Sequence, residues 1–313
     1  MSAVAIRPRL GFVGVGWIGR KRLDAVSESG VAEVAALADP AVRGALPSLD
    51  ELLDEELDGV VIATPNALHS EQAIAAIERG LAVFCQKPLA LDAATAARVV
   101  DAARTADRLL AVDFCYRFTR AAQCVKDVVE SGAVGEVYAV DLVFHNAYGP
   151  DKPWFADPAL AGGGCVIDLG IHLVDLALWT LGFPQVADVA SRLRGEPVED
   201  HASAQIELAN GAVLRLACSW RLHAGRDCVL EASFYGTRGG ASLRNVDGSF
   251  YDFSAERYDG TETTRIAEPP DDWGGRAVVN WVRRLAAGGR FDAAAEEYVR
   301  VHEVVDRIYG RTP

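Results

Sequence analysis

A glycine-rich turn near the start of the chain constrains the fold more than any other segment. Residues 9–15, RLGFVGV, are apolar, and a helical pattern runs from about Trp17 to Glu28. Between them Gly14-Val15-Gly16-Trp17-Ile18-Gly19 forms a GxGxxG, and the next strand-like run, VAEVAALAD, ends at Asp39. Glycines let a backbone approach a pyrophosphate closely, a helix N-terminus offers free N–H groups to it, and an acid at the end of the second strand can bind a ribose diol. Glycine-rich turns also arise from packing alone. Here the preceding strand, the following helix and the acid favour dinucleotide binding.

The alternation continues. Strands are expected at 58–65 (DGVVIATP), 81–85 (LAVFC) and 109–114 (LLAVDF). Between them lie a helix stopped by Gly80 and a helix over 93–106 with Asp92 as its N-cap. Strands alternating with helices give a doubly wound parallel sheet. Too few residues separate Asp39 from Ser48 for a full second crossover helix, so that flank should be trimmed. After about residue 120 the pattern changes. A helix over 119–131 leads into the alternating stretches EVYAVDLVFHN, SAQIELANGAVLRLACSW, CVLEASFYG and ASLRNVDGSFYDF, with NG and DG turns. These read as an open, mostly antiparallel sheet, interrupted by a helix over 166–181 and followed by helices over 274–287 and 293–309.

The expected organisation is therefore α/β in two domains. Residues 1–119 form a dinucleotide-binding domain, and 120–313 a second α/β domain whose closing helices pack back on the first; the Rossmann assignment of the first and the substrate-binding and oligomerisation roles of the second are what the family resemblance described below implies. The length of 313 residues suits two cores. A formal charge of −13 offers no clustered positive surface for nucleic acid. The first residues lack the features of a secretion signal, and no apolar run approaches membrane-spanning length, so a soluble, cytoplasmic protein with no membrane partner is expected. The six cysteines lack metal-finger spacing and read as reduced thiols.

Two places carry candidate chemistry. In GGGCVIDLGIHLVDLALW, Asp168, His172 and Asp175 stand at i, i+4 and i+7, which puts them on one face of a regular helix. The plain alternative is an acid favouring the helix dipole beside a satisfied histidine. A metal pair with Cys165 or His201 as third ligand lacks diagnostic spacing, and no metal is expected. Lys87, one of only four lysines, stands just past a strand in FCQKP. Ligands bind outside the carboxyl ends of parallel strands, so Lys87 is placed to meet one, although a surface lysine with a snorkelling stem has the same address.

The chain resembles the glucose-fructose oxidoreductase, inositol dehydrogenase and rhizopine-catabolism family (Gfo/Idh/MocA). The resemblance rests on GFVGVGWIG, ALADP, DGVVIATPNALHSEQAIAAIERG, FCQKPLALD, DFCYRF, GAVGEVYAV and GGGCVIDLGIHLVDLALW, in that order, over residues 9–182. It implies NAD(P)-dependent hydride transfer at a secondary hydroxyl or ketone of a sugar or cyclitol, in a homo-oligomer, dimer or tetramer. Lys87 matches the lysine of the family's Glu-Lys-Pro, and Asp168 and His172 match its second-domain acid and histidine. These three are the implied catalytic residues. Thr64, Pro65, Asn66, His69, Gln86 and Arg117 fall beside the implied cofactor with Gly14, Gly16, Trp17, Ile18, Gly19 and Asp39. Tyr116, Asn146 and Trp154 join the catalytic three along the substrate.

Asp39 favours NAD by bonding both ribose hydroxyls, while Arg43 could receive a 2′-phosphate, which keeps NADP as the other candidate. One departure matters: the family's glutamate before the lysine is Gln86 here, which removes a carboxylate that would hold Lys87 as ammonium. A sensor that binds the cofactor without turnover, and a redox-assisted hydrolysis or elimination that regenerates it, are the alternatives from other classes.

Overall fold

The computed structural model describes residues 7–311. The opening residues read above as lacking a secretion signal lie outside them. The chain divides into two compact units, one comprising the segment up to Phe114 with Gly274–Val299, the other Cys115–Trp273 with the segment from Arg300.

The first unit is built from β1 (Arg9–Val13), α1 (Trp17–Ser29), β2 (Glu33–Ala38), α2 (Leu49–Leu53), β3 (Gly59–Ile62), α3 (His69–Glu78), β4 (Ala82–Cys85), α4 (Ala93–Ala106) and β5 (Leu110–Val112). The strands form one parallel sheet in the order β2-β1-β3-β4-β5. Every residue of β3 and β4 is buried, as continuous apolar runs inside a parallel sheet should be. The trimmed flank is explained by α2, a single short helix of five residues capped by Ser48, whose Oγ accepts from Glu51 N at 3.3 Å. Asp92 caps α4 by accepting from Thr95 N at 2.7 Å.

The second unit contains α5 (Arg120–Glu130), β6 (Val137–Asn146), α6 (Pro158–Ala161), α7 (Ile171–Thr180), β7 (Val186–Arg194), β8 (His201–Leu208), β9 (Val213–Ser219), β10 (Cys228–Gly236), β11 (Gly240–Asn245), β12 (Phe253–Asp259) and β13 (Glu262–Ala267). Its eight strands run in the order β13-β12-β11-β10-β6-β9-β8-β7. All neighbours are antiparallel except β6 and β9, which pair in parallel at the centre. The helices α5 and α7 pack on one face of this sheet. Along β8 buried and exposed residues alternate, so the opposite face is the more open one. The Asn210-Gly211 turn joins β8 to β9, with Gly211 at φ +86° where other residues are strained.

Two helices close the chain. α8 (Arg276–Ala286) belongs to the first unit, where Trp281 is fully buried and its ring lies 5.7 Å from that of Phe84 on β4. α9 (Glu296–Ile308) begins in the first unit and ends in the second.

The span Pro158–Thr180 corrects one reading of the sequence. By length it could cross a membrane, and its most apolar 18-residue stretch has a mean hydropathy of 1.5, yet 83% of that stretch is buried inside the protein. Such burial is that of a core helix.

Candidate active site

In the first unit the glycine turn has the close contacts that a dinucleotide cradle needs. Gly14 adopts φ +80°, and a Cβ there would lie 2.6 Å from the backbone of Ala63. On Gly19 a Cβ would lie 2.0 Å from Gly14 O, so no side chain fits where α1 crosses the turn. Gly16 begins α1 with no side chain capping its amides. Asp39 follows β2 and is held by two backbone amides, Val15 N to Oδ2 at 2.7 Å and Ala41 N to Oδ1 at 2.9 Å. The carboxylate is thus fixed against the glycine turn itself. Trp17 is 62% exposed with the Lys21 ammonium 4.4 Å from its ring centre, and Ile18 is half-buried. These residues fit a dinucleotide: a glycine cradle, uncapped helical N–H groups and an oriented diol acceptor.

The loops after β3 and β4 are tied together by His69. This imidazole is 1% exposed, with Nε2 2.8 Å from Thr64 O and Nδ1 2.7 Å from Pro88 O. Burial is the main cause holding its pKa below the ordinary value, the two carbonyls oppose that, and the charge of Lys87 adds to the lowering. A neutral ring has one N–H and can donate to only one of the carbonyls. His69 was expected beside the cofactor, and its ring nitrogens hold the backbone of Thr64 and Pro88. Thr64 Oγ1 donates to Gln72 Oε1 at 2.6 Å, Pro65 O accepts from Leu68 N at 3.0 Å, and Asn66 is buried. Lys87 is half-buried just beyond β4.

Gln86 faces a group that local sequence patterns did not reveal. Its Nε2 donates to Asp113 Oδ2, the same oxygen that accepts from Arg22 Nε at 2.5 Å. Both charged side chains are buried, at 5% and 0% exposure. Arg22 also donates to Gly274 O. A carboxylate therefore does lie beside residue 86, borne by Asp113 and neutralised by Arg22, and the amide of Gln86 is the group that can donate to it.

In the second unit the helix carrying the candidate acid and histidine does not start as a regular α-helix. Val166–Gly170 forms one wide, π-type turn before α7, and such turns change which residues share a face. The three residues read as one face have different partners. Asp168 Oδ2 accepts from Trp220 Nε1 at 3.0 Å. His172, 6% exposed, lies edge-on to Tyr116, with ring centres 4.9 Å apart, and 6.5 Å from Phe144. Asp175 takes the guanidinium of Arg117 in a forked pair, Nε to Oδ2 at 2.9 Å and Nη2 to Oδ1 at 2.6 Å, with the rings of Trp179 and Phe183 against it. Arg117 was expected beside the cofactor, and this pair binds it to α7.

Tyr116 is packed among Phe144, Phe253 and Trp273 as well as His172. Burial, aided by Cys115, Cys228 and Asp168, pushes its phenol well above the ordinary value, so it remains O–H at neutral pH. Asn146 ends β6 with its buried Oδ1 lacking a hydrogen-bond partner among the described residues. Trp154 stacks on Phe155 with ring centres 3.9 Å apart, and Phe155 meets Trp220 edge-on at 6.2 Å. Cys165 faces Cys218 with sulfurs 3.7 Å apart, and His201 Nδ1 lies 2.7 Å from Ser219 Oγ, so both have neighbours other than Asp168 and His172.

A parallel-sheet unit with a glycine cradle, in one chain with an open-sheet unit carrying a buried histidine and an oriented acid, is the architecture of a dinucleotide-dependent oxidoreductase. Residues 8–114 match the model of an oxidoreductase family with an NAD-binding Rossmann fold, and residues 122–242 match the GFO/IDH/MocA C-terminal domain. The chain is 32% identical over 300 residues to D-xylose 1-dehydrogenase (NADP(+)) 2 of Haloferax volcanii, covering 91% of this chain and 88% of that one. It is 30% identical over 276 residues to D-glucoside 3-dehydrogenase of Escherichia coli, covering 77% and 79%. Among solved structures, GenD2 from gentamicin A biosynthesis in complex with NAD superposes with a TM-score of 0.84 at 26% identity, covering 97% and 94%. The chain belongs to the Gfo/Idh/MocA family, and its first unit is an NAD-binding Rossmann domain.

The Gln86 contact gives a test with a definite sign. Gln86→Glu would set a second carboxylate against Asp113 out of water, and the pair would have to hold a proton. A carboxyl whose folded pKa is raised contributes stability below its unfolded pKa and loses it as pH rises through the folded one. Gln86→Glu should therefore cost about 2 kcal/mol or more at pH 8 and clearly less at pH 5. Gln86→Glu with Asp113→Asn should recover most of the loss. Denaturant titrations at the two pH values check this, and an equal loss at both would contradict the buried contact.

Proposed function

We propose that this chain is an NAD(P)-dependent dehydrogenase or ketoreductase acting on a secondary hydroxyl or ketone of a sugar, cyclitol or sugar-derived metabolite. The reading is carried by the second unit, where His172 lies between the rings of Tyr116 and Phe144, and Asp168 accepts from Trp220, whose ring meets Phe155 edge-on. Aromatic faces with a few placed polar groups suit a ring that is apolar on its C–H side and hydroxylated at its edge. Relatives named as xylose and glucoside dehydrogenases support it.

The residues of the glycine turn, Asp39 and the loops carrying Thr64 to Asn66 would hold the cofactor, which when bound accepts or donates the hydride. Lys87, Asp168 and His172 are the proposed catalytic residues. In oxidation His172 takes the proton of the reacting hydroxyl as general base, and in reduction it returns one. Lys87 hydrogen-bonds the same oxygen as negative charge develops there, and Asp168 helps orient the reacting groups. Asn146 and Trp154 are the proposed substrate contacts, Asn146 through its unpartnered amide oxygen. NAD is the proposed cofactor, because Asp39 is held beside the turn by Val15 N where a 2′-phosphate would meet its charge.

The functional reading is tested by incubating the purified protein with NAD or NADP across a panel of inositols, aldoses and nucleotide or amino sugars, and following reduced-nicotinamide absorbance. Turnover of at least one compound is expected, and Lys87→Ala and His172→Ala should each lower kcat by about a hundredfold or more while NADH still binds. Tight NADH binding without turnover of any compound would favour the sensor, and near-wild-type rates in both variants would remove these residues from the mechanism.

Fluorescence titration with both cofactors tests Asp39. Wild type should prefer NAD, and Asp39→Ala should narrow the preference by about tenfold, the loss of one diol acceptor and one repulsive charge. A wild-type preference for NADP would contradict the role given to Asp39.

We also propose that the open face of the eight-stranded sheet joins copies of the chain into a homo-oligomer. The helix-free side of β8 presents an alternate, exposed row. Sedimentation velocity should show a dimer or tetramer, and a monomer at micromolar concentration would exclude it.

A further inference from the structure

The segment that carries Asp168 and His172 begins with four amides that a helix cannot satisfy within itself. All four are met by two residues distant in sequence. Gly164 N and Val166 N both donate to Glu199 Oε1 at 2.9 Å. Cys165 N donates to the backbone oxygen of the same glutamate at 2.9 Å, and Ile167 N to the Tyr309 hydroxyl at 3.2 Å. The next amide, Asp168 N, bonds Gly164 O at 3.1 Å and starts the segment's own ladder. Tyr309 completes the cap by donating its hydroxyl proton to Glu199 Oε1 at 2.7 Å.

The glycine triplet takes its meaning from this cap. Gly163 adopts φ +159°, and a Cβ there would lie 2.0 Å from the Tyr309 hydroxyl oxygen. A Cβ on Gly164 would lie 1.9 Å from Glu199 O. The backbone must therefore approach both residues more closely than any side chain permits. Arg311 secures Tyr309 from the other side, with its guanidinium 4.5 Å from the ring centre and Nη2 donating to Gly162 O at 3.1 Å. Glu199 is 6% exposed, and burial together with its charge keeps the Tyr309 phenol protonated far above neutral pH.

We propose that Glu199 and Tyr309 are positioning residues for catalysis, holding the wide turn at Val166–Gly170 so that Asp168 and His172 keep their working orientation. This rests on the functional reading given above. Asp168 is the first residue beyond the four capped amides and His172 lies one turn further. Any slack at the cap reaches both. A wide turn is open to rearrangement toward the tighter α-helical repeat, and fixing its first four amides from outside removes that freedom. Neither residue is given a contact with substrate or cofactor, so the expected effect falls on kcat and not on binding to the first unit.

Tyr309→Phe and Glu199→Gln, assayed in the full-length protein, separate this role from simple stability. NADH titration gives the folded, binding-competent fraction, and rates are expressed per competent site. Tyr309→Phe should bind NADH with wild-type affinity and stoichiometry, yet lose about ten- to a hundredfold in kcat, the scale of an ångström-sized misplacement. Glu199→Gln, which keeps an acceptor oxygen, should lose less than Glu199→Ala. Exchange of the Gly164–Ile167 amides, followed by mass spectrometry, should speed by about tenfold or more in Tyr309→Phe. If wild type turns over sugars and both conservative variants match its kcat per site within about twofold, below the cost expected of losing one buried hydrogen bond, the positioning role is overturned and the functional reading stands. If wild type turns over no compound in the panel, the functional reading fails and this role falls with it, even if exchange still speeds in the variants.

Discussion

Backbone N–H groups at two helix starts decide what this chain can do, and the protein treats them in opposite ways. At α1 the glycine turn brings the amides forward with no side chain capping them, and Asp39 is fastened beside them through Val15 N. Such a start favours an anionic group. Where the segment carrying Asp168 and His172 begins, Glu199 and Tyr309 take every free amide. The amides of that start are thus satisfied within the protein. One helix end is suited to bind; the other is capped, as the proposed positioning role requires.

Each unit also buries an ion pair close to its candidate residues. Asp113 is fixed by Arg22 beneath Gln86, and Asp175 by Arg117 beside His172 on α7. Buried pairs of this kind contribute little net stability relative to apolar replacements, but removing one partner leaves a charge stranded at a cost of several kcal/mol. Their value here is geometric. The first pair sets the backbone before Lys87 through the amide of Gln86, and the second ties the segment after β5 to the helix bearing His172. The Gln86 substitution is thus compatible with a retained carboxylate, moved to the end of the neighbouring strand.

What the amino-acid sequence makes legible is whatever depends on short spacing. The strand, glycine turn, helix and acid from Arg9 to Asp39 can be read off directly, as can the cap Asp92 and the Asn210-Gly211 turn, because each needs only a few neighbouring residues. The strand β7 escapes that reading because most of its residues are exposed and no apolar alternation marks it. The wide turn at Val166–Gly170 escapes because its residues read as an ordinary apolar helix; only the glycine triplet before it signals something unusual. Glu199, Tyr309, Trp220 and Asp113 are invisible to local pattern for a common reason. Their partners lie between 27 and 142 residues away, and only the folded topology brings them together. His69 and Arg117 show the converse: their motifs are legible along the chain, while their partners, the carbonyls of Thr64 and Pro88 and the carboxylate of Asp175, are set by the fold.

The account rests on direct hydride transfer from a carbohydrate carbon to a cofactor seated on the first unit. The most direct measurement is to supply a turned-over polyol carrying deuterium on the reacting carbon together with NAD, and to locate the label by mass spectrometry and proton NMR of the reduced nicotinamide. One deuterium per NADH, at C4 of the ring and on a single face, is the predicted result. Reduced cofactor without label, or label washed out into water, would contradict it.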